Sequence, residues 1–474
     1  MKAALIRKDS MVLARDVTTK VVLAGIVLLL LAALAAGLQR EAEFEKERTA
    51  AAVVDKEVWM EQGERNPHSA AHFSRYAFRP PAPLGLIDPG VDDFAGIAIW
   101  MEGHHQNPAD FRRAEDAGEL SRYTLLSPAF LVLVAGPLLI LLLLHDSVAG
   151  EREDKTLRQL LATGVTPGAF IGGKLLAALR TILPAFVVLF VILAAVSLYY
   201  SPAGERGDTA VRLLVMFISY TLYLSAFAVF AVGASALFRS RRQAFLALAG
   251  VWVLVAIVVP RLAAEVGVSL YPQPNTLETT TLLSTISNTY WDDEAMKKEL
   301  RETLLAEYEV DDLSELPFNF SAYQLQYSEE VADPLFDELY ADLRRNYQNQ
   351  EDVMAMFSLL SPSIAAARLS AGIAGTDRLH QQDFTGAAEK HRRTIVKQLN
   401  DDYMLNAGTA GSSYTSDATL WAQIDDFGFR PLDFSTVYKR YLGEFGMLVL
   451  WLVLAFLFTL WSGRRAVLRE VNAS

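Results

Sequence analysis

Apolar residues gather into six long runs, at 21–38, 128–144, 181–199, 211–237, 244–268 and 447–461. A helix needs roughly 17–25 apolar residues to cross a ~30 Å hydrocarbon core. The runs meet or approach that length; the second and sixth are short, so their ends are the least defined. Polar sequence separates the runs, and two of the separators are long, at 39–127 and 269–446. This pattern predicts an all-α polytopic membrane protein with six transmembrane helices and a largely helical extracytoplasmic domain.

Basic residues orient the six spans. Lys2, Arg7, Lys8, Arg15 and Lys20 precede the first run, and Arg152, Lys155, Arg158 and Lys174 follow the second. Arg239, Arg241 and Arg242 form a tight turn between the fourth and fifth, and Arg464, Arg465 and Arg469 follow the last. The short turn after the third run carries only Arg206. By the positive-inside rule, six spans with both termini in the cytoplasm place every cluster on one face. The expected location is a bacterial inner membrane. The first run is longer than the apolar core of a cleaved signal, and so is the basic stretch before it, so it reads as a retained span.

This arrangement divides the chain into five parts. Residues 1–38 hold an N-terminal interfacial helix, mixing Leu5, Met11 and Val12 with charges, and the first span. Residues 39–127 form a first outer segment. Residues 128–268 carry spans two to five, with a cytoplasmic helix at 148–163. Residues 269–446 form a large outer helical domain, and 447–474 the sixth span and a basic tail. In the outer parts, 39–58 is rich in Glu, Arg and Ala and extends the first span as a helix. Stretches 292–308, 323–347 and 377–402 read as further helices. Pro334 is expected to start or interrupt a turn, and Phe384, Ala388, Ile395 and Leu399 to share one face. Residues 353–374 are apolar but contain Pro362 and Arg368. A seventh complete crossing there would put the final basic cluster on the wrong side. A helix pair packed on the span ends, or dipping in without crossing, fits better.

The net charge of −12 is concentrated in 269–446, which holds 29 acidic and 14 basic residues. That balance suits a solvated surface and gives no reason to expect nucleic acid as a partner. The chain has no cysteine, so no disulfide staples the outer domain.

Candidate enzymatic chemistry is thin. Residues 168–175 approach the phosphate-loop pattern G-x-x-x-x-G-K-[ST], but Leu175 replaces the hydroxyl residue and no strand precedes it. No cofactor is expected on this chain. His68 and His72 are four apart, on one face if helical, and His104 and His105 are adjacent. A firm metal site needs a full ligand set, and these histidines lie in loop-like sequence, so incidental roles are the plainer reading.

The connector after the second run is more informative. From Val148 to Val165 it places Leu157, Leu160 and Leu161 on one helical face and Glu151, Arg152, Glu153, Asp154, Lys155 and Arg158 on the others. Gly164 and Pro167 then end the helix. A charged helix held between two spans must sit at the membrane surface, where a soluble partner can push on it.

At these residues the chain resembles the type-2 ABC exporter permeases. Glu151, Arg152, Thr156, Leu157, Leu160, Leu161, Pro167, Gly173 and Lys174 carry the resemblance. The chain is most similar to the branch with nitrous-oxide-reductase maturation and gliding-motility permeases, and residues 259–266 and 360–377 resemble a closer subset of it that has a large outer segment before the last span. The resemblance implies a non-catalytic permease subunit. Its coupling helix, with Glu151, Arg152, Thr156, Leu157, Leu160 and Leu161, would contact a separate cytoplasmic ABC ATPase carrying ATP and Mg2+. It also implies pairing with a second copy or a related permease. The other reading open to the sequence is a membrane-anchored receptor or scaffold whose acidic outer domain binds a periplasmic protein.

Overall fold

The computed structural model describes residues 2–73, 75–113, 126–291 and 293–471. Helix α1 (Lys2–Arg15) leads into α2 (Val17–Met60), whose first turn is capped by Asp16 accepting from Thr19 N at 2.7 Å. At 1.5 Å per residue, 44 residues reach about 66 Å, twice the hydrocarbon thickness. The apolar run therefore spans, and the 39–58 stretch continues outward as the same helix. After the short α3 (Pro67–Ala71), strands β1 (Tyr76–Phe78) and β2 (Ala98–Trp100) pair antiparallel, a ribbon the sequence pattern did not announce.

The second span, α4, passes from Pro128–Phe130 through a π-turn at Leu131–Ala135 to Gly136–Leu144. Two short helices, α5 (Ala149–Glu153) and α6 (Thr156–Ala162), form the connector. The third and fourth spans are α7 (Pro167–Tyr200) and α8 (Arg206–Ser235), and the fifth is α9 (Arg241–Leu270). The outer helices follow as α10 (Thr276–Trp291), α11 (Glu294–Glu307), α12 (Phe320–Phe357), α13 (Pro362–Ala374) and α14 (Arg378–Asn406). The last span, α15 (Leu442–Val471), begins ahead of the apolar run. Among the described residues, six helices are long and apolar enough to cross a membrane.

Both π-turns precede a proline. Pro137 cannot donate to the preceding turn of α4, nor Pro260 to that of α9, where a π-turn lies at Leu254–Val258. In a low-dielectric interior the carbonyls so freed need other donors. They find them on neighbouring helices. Tyr223 Oη donates to Leu133 O at 2.6 Å, Trp252 Nε1 to Val134 O at 3.0 Å, and Ser361 Oγ to Val255 O at 2.6 Å. The fourth and sixth spans approach closely at Gly233, where an added Cβ would fall 2.4 Å from Thr459 Oγ1. Small residues let helix backbones meet in this way.

Helix α13 has 13 residues, too few to span, yet it is buried along most of its length. Ser363 and Ser370 hydrogen-bond Tyr223 (2.9 Å) and Tyr220 (2.7 Å) of α8. The fully buried Arg212 of α8 pairs with Asp208 and donates to Ile373 O at 2.8 Å, fixing the end of α13 to the start of the fourth span.

The two outer segments share one core, made of Trp59, Ile99, Met101, Phe384, Leu399 and Trp421 among others. Trp59 Nε1 donates to Trp421 O at 3.0 Å, and Trp421 Nε1 to Gly63 O at 3.1 Å. The predicted face of Phe384, Ala388, Ile395 and Leu399 is buried here. Asp377 and Asp293 cap α14 and α11.

Pro334 does not interrupt α12, contrary to the sequence reading; it lies within one continuous helix. Its neighbours hold the helix through the missing bond. Ala332 and Phe336 are buried against Leu283, and Asp333 pairs with Arg392 (3.4 Å) and Arg393 (3.2 Å) of α14.

Candidate functional site

The connector is not the single helix its periodicity suggests. Lys155 adopts φ 61°, ψ 12°, a left-handed conformation that breaks it into α5 and α6. The two short helices lie folded against the span ends, which one straight helix could not do. The start of α5 is capped from another helix. Ser235, at the end of α8, accepts from Val148 N (3.1 Å) and Ala149 N (3.0 Å), while its own hydroxyl donates to His145 O at 2.6 Å.

The predicted contact residues come together, but most turn inward. Glu151 accepts from Lys174 Nζ of α7 (2.8 Å), Lys8 Nζ of α1 (2.7 Å) and the Thr156 hydroxyl. Lys174 also reaches Asp9 at 3.2 Å. Burial, the largest single effect, would lower the Lys8 pKa, but the hydrogen bonds and charges of Glu151 and Asp9 together outweigh it and raise it. Arg152 Nη1 donates to Ala236 O (3.1 Å) and Phe238 O (2.5 Å), beyond the end of α8. Leu157 is fully buried in the core of the spans, and Leu160 and Leu161 pack partly against the same core. The outward surface consists instead of Glu153, Asp154, Lys155, Arg158, Gln159 and the 162–164 turn. Arg241, opening α9, holds Asp154 at 2.5 Å and takes Glu153 Oε2 on its backbone N at 2.8 Å.

The residues of the near phosphate loop serve this same clamp. Residues 168–175 are the first turns of helix α7, not a loop. A Cβ on Gly173 would lie 2.7 Å from Leu5 Cδ2, so glycine is what lets α1 lie on α7. Lys174 is buried among carboxylates of its own chain. Sequence periodicity could place Leu157, Leu160 and Leu161 on one face; it could not say that the face is covered by this chain.

Of the outer histidines, His68, His72 and His104 converge, one ring nitrogen of each lying within 4.8 Å of those of the other two. Burial, and then the His104 and His68 rings, push His72 down to about 4; burial also lowers His68. His105 turns away, onto the ring of Phe336 and towards Glu102. A separate cavity of about 570 Å³ opens where outer domain meets spans, between Phe130, Leu133 and Pro260 on one side and Arg368, Arg378 and Tyr441 on the other.

No curated protein matches this chain. The family model for the ABC-2 family transporter protein matches residues 4–466, almost the full length. Six apolar helices, a clamped connector between the second and third, and that match together make the chain a multi-pass membrane protein and a permease subunit of an ABC transporter, and it belongs to the ABC-2 transporter family.

Proposed function

We propose that this permease works as an exporter subunit driven by a separate cytoplasmic ABC ATPase that docks on the connector. The observation that carries the reading is the clamp. Glu151, Arg152, Thr156 and Leu157 fasten α5 and α6 to α1 and to the third and fourth spans, and Arg241 fastens them to the fifth. A force applied to the connector is thereby passed to three spans and the N-terminal helix together.

In this reading the ATPase touches the outward residues, Lys155, Arg158 and Gln159 foremost, with Leu160 and Leu161 at the rim. Glu151, Arg152, Thr156 and Leu157 support the contact from behind. ATP and Mg2+ sit on the partner chain. Both termini and the connector face the cytoplasm of a bacterial inner membrane, and the outer domain faces the periplasm. Two permeases pair, as two copies or as this chain with a relative. Placement within the branch with nitrous-oxide-reductase maturation and gliding-motility permeases, in the subset with a large outer segment before the last span, rests on residues 259–266 and 360–377.

The test is a photo-crosslinking amino acid placed singly at Lys155, Arg158 and Leu157 in the full chain, expressed with its native ATPase. Crosslinks to the ATPase from the first two positions and not from the buried third support the reading. If none forms, while Ser412→Cys reacts with an impermeant thiol reagent in intact cells and the chain captures a periplasmic protein, the scaffold reading replaces it.

A further inference from the structure

The first outer segment builds a cluster that the transport reading does not use. Asn66 caps α3 by accepting from His68 N at 3.0 Å, and Pro67 opens the helix. One turn of helix then sets His68 and His72 on one face. The third ring comes from the turn after β2, where His104 holds φ at 69°. That left-handed backbone is strained for any residue with a side chain. It is held there by Glu329 of α12, whose Oε1 accepts from both His104 N (3.1 Å) and His104 Nδ1 (2.8 Å). The ring centroids lie 5.1, 5.3 and 4.6 Å apart.

Each of two rings has an oriented partner behind it. His68 Nδ1 faces Asn400 Oδ1 at 3.1 Å. Asn400 is fully buried, and its Nδ2 donates to Gln326 Oε1 at 3.0 Å, which fixes the amide with its oxygen towards the histidine. His68 therefore donates through Nδ1. Glu329 is buried too and acts on His104 in the same sense. Both bonds select the tautomer with the lone pair on Nε2. A carboxylate or amide oxygen holding the remote nitrogen is the usual outer support of a metal-bound imidazole. His72 lies at the solvent-facing side and leaves a way in.

We propose that His68, His72 and His104 form a three-imidazole site for a borderline-soft divalent metal ion of the Zn2+ type, with an open fourth position, supported by Glu329 and Asn400. Imidazole-only donors suit Zn2+ and its neighbours and not Ca2+ or Mg2+, which take oxygen. Nitrogens bound tetrahedrally at ~2.0–2.1 Å stand roughly 3.4 Å apart, so side-chain rotation closes the present spacing. The ligands belong to the first outer segment and their supports to α12 and α14 of the second. A bound ion braces the two segments against each other.

The test uses the full chain in detergent, without a histidine tag, stripped by chelator and titrated with ZnCl2 by calorimetry and with Co2+ by visible absorption. The expected result is one ion per chain, the intense visible bands of a low-coordinate Co2+ centre, and a higher melting temperature for the Zn2+-loaded protein. His72→Ala, at an exposed position, should weaken binding at least about tenfold while eluting as the wild type. Glu329→Gln should keep the stoichiometry and weaken affinity by about 10–100-fold. Absence of saturable one-to-one binding, or His72→Ala binding Zn2+ as tightly as the wild type, overturns the site. Either result leaves the ATPase-docking reading untouched.

Discussion

Replacing Lys174 by Met tests whether the connector is clamped by charge. Four groups meet there: Lys8, Asp9, Glu151 and Lys174. The side chains of Asp9, Glu151 and Lys174 are only 8–10% exposed, whereas Lys8 is 46% exposed. Lys174→Met keeps the length of the stem but leaves two buried carboxylates facing one half-exposed ammonium. Removing one partner of a buried pair costs about 3–5 kcal/mol. Solvent near the clamp and the help of Lys8 argue for the lower end, about 3 kcal/mol. Glu151→Gln alone should also destabilise, by leaving Lys174 with Asp9 only. The double variant Lys174→Met/Glu151→Gln removes one charge of each sign and leaves Lys8 with Asp9 at 3.7 Å. It should therefore lose clearly less than the sum of the single losses, a coupling of order 1–3 kcal/mol for groups in contact. The assay is the apparent melting temperature of purified chain in detergent, read by loss of the monodisperse elution peak at matched heating times. This reports rank order even where unfolding is irreversible. Additive losses in the double variant, or a Lys174→Met variant as stable as the wild type, would refute the clamp.

Three other outcomes follow from particular contacts. Gly173→Val should push Leu5 and α1 off the third span, since a Cβ already lies 2.7 Å from Leu5 Cδ2; limited proteolysis should cut 2–15 faster, and Leu5→Ala should partly restore protection. Leu157→Ala empties a fully buried position, costing about 2–5 kcal/mol, and should lower the melting temperature of the chain even without any ATPase present. Tyr223→Phe leaves Leu133 O without its 2.6 Å donor, a loss of about 1–3 kcal/mol that thermal elution should detect, whereas Tyr199→Phe, at an exposed position, should melt as the wild type.

Much of the architecture was legible in one dimension because a bilayer imposes a length and a polarity on every crossing. The six runs, the continuation of α2 past its apolar run, and the α14 face at Phe384, Ala388, Ile395 and Leu399 all follow from local spacing. Interruptions were less legible. Pro334 breaks a helix by propensity, but burial of Phe336 and the Asp333 pairs hold this one together. Lys155 carries no sign of a left-handed turn, because its conformation is set by folding α5 and α6 against the span ends. The connector shows the same division. Periodicity gave Leu157, Leu160 and Leu161 a common face, and sequence alone could not tell whether that face meets a partner or the chain's own core. Only tertiary contact decided that Leu157 is internal, that Glu151 and Lys174 are one clamp 23 residues apart, and that Lys155, Arg158 and Gln159 are what the surface presents. The histidines are the extreme case. The spacing of His68 and His72 is local, but His104 lies 36 positions from His68 and Glu329 another 225 beyond, so no local pattern can bring these together. Periodicity reports which side of an element is apolar; it holds no information on which distant element covers that side, and both clamp and cluster are made of such distant pairs.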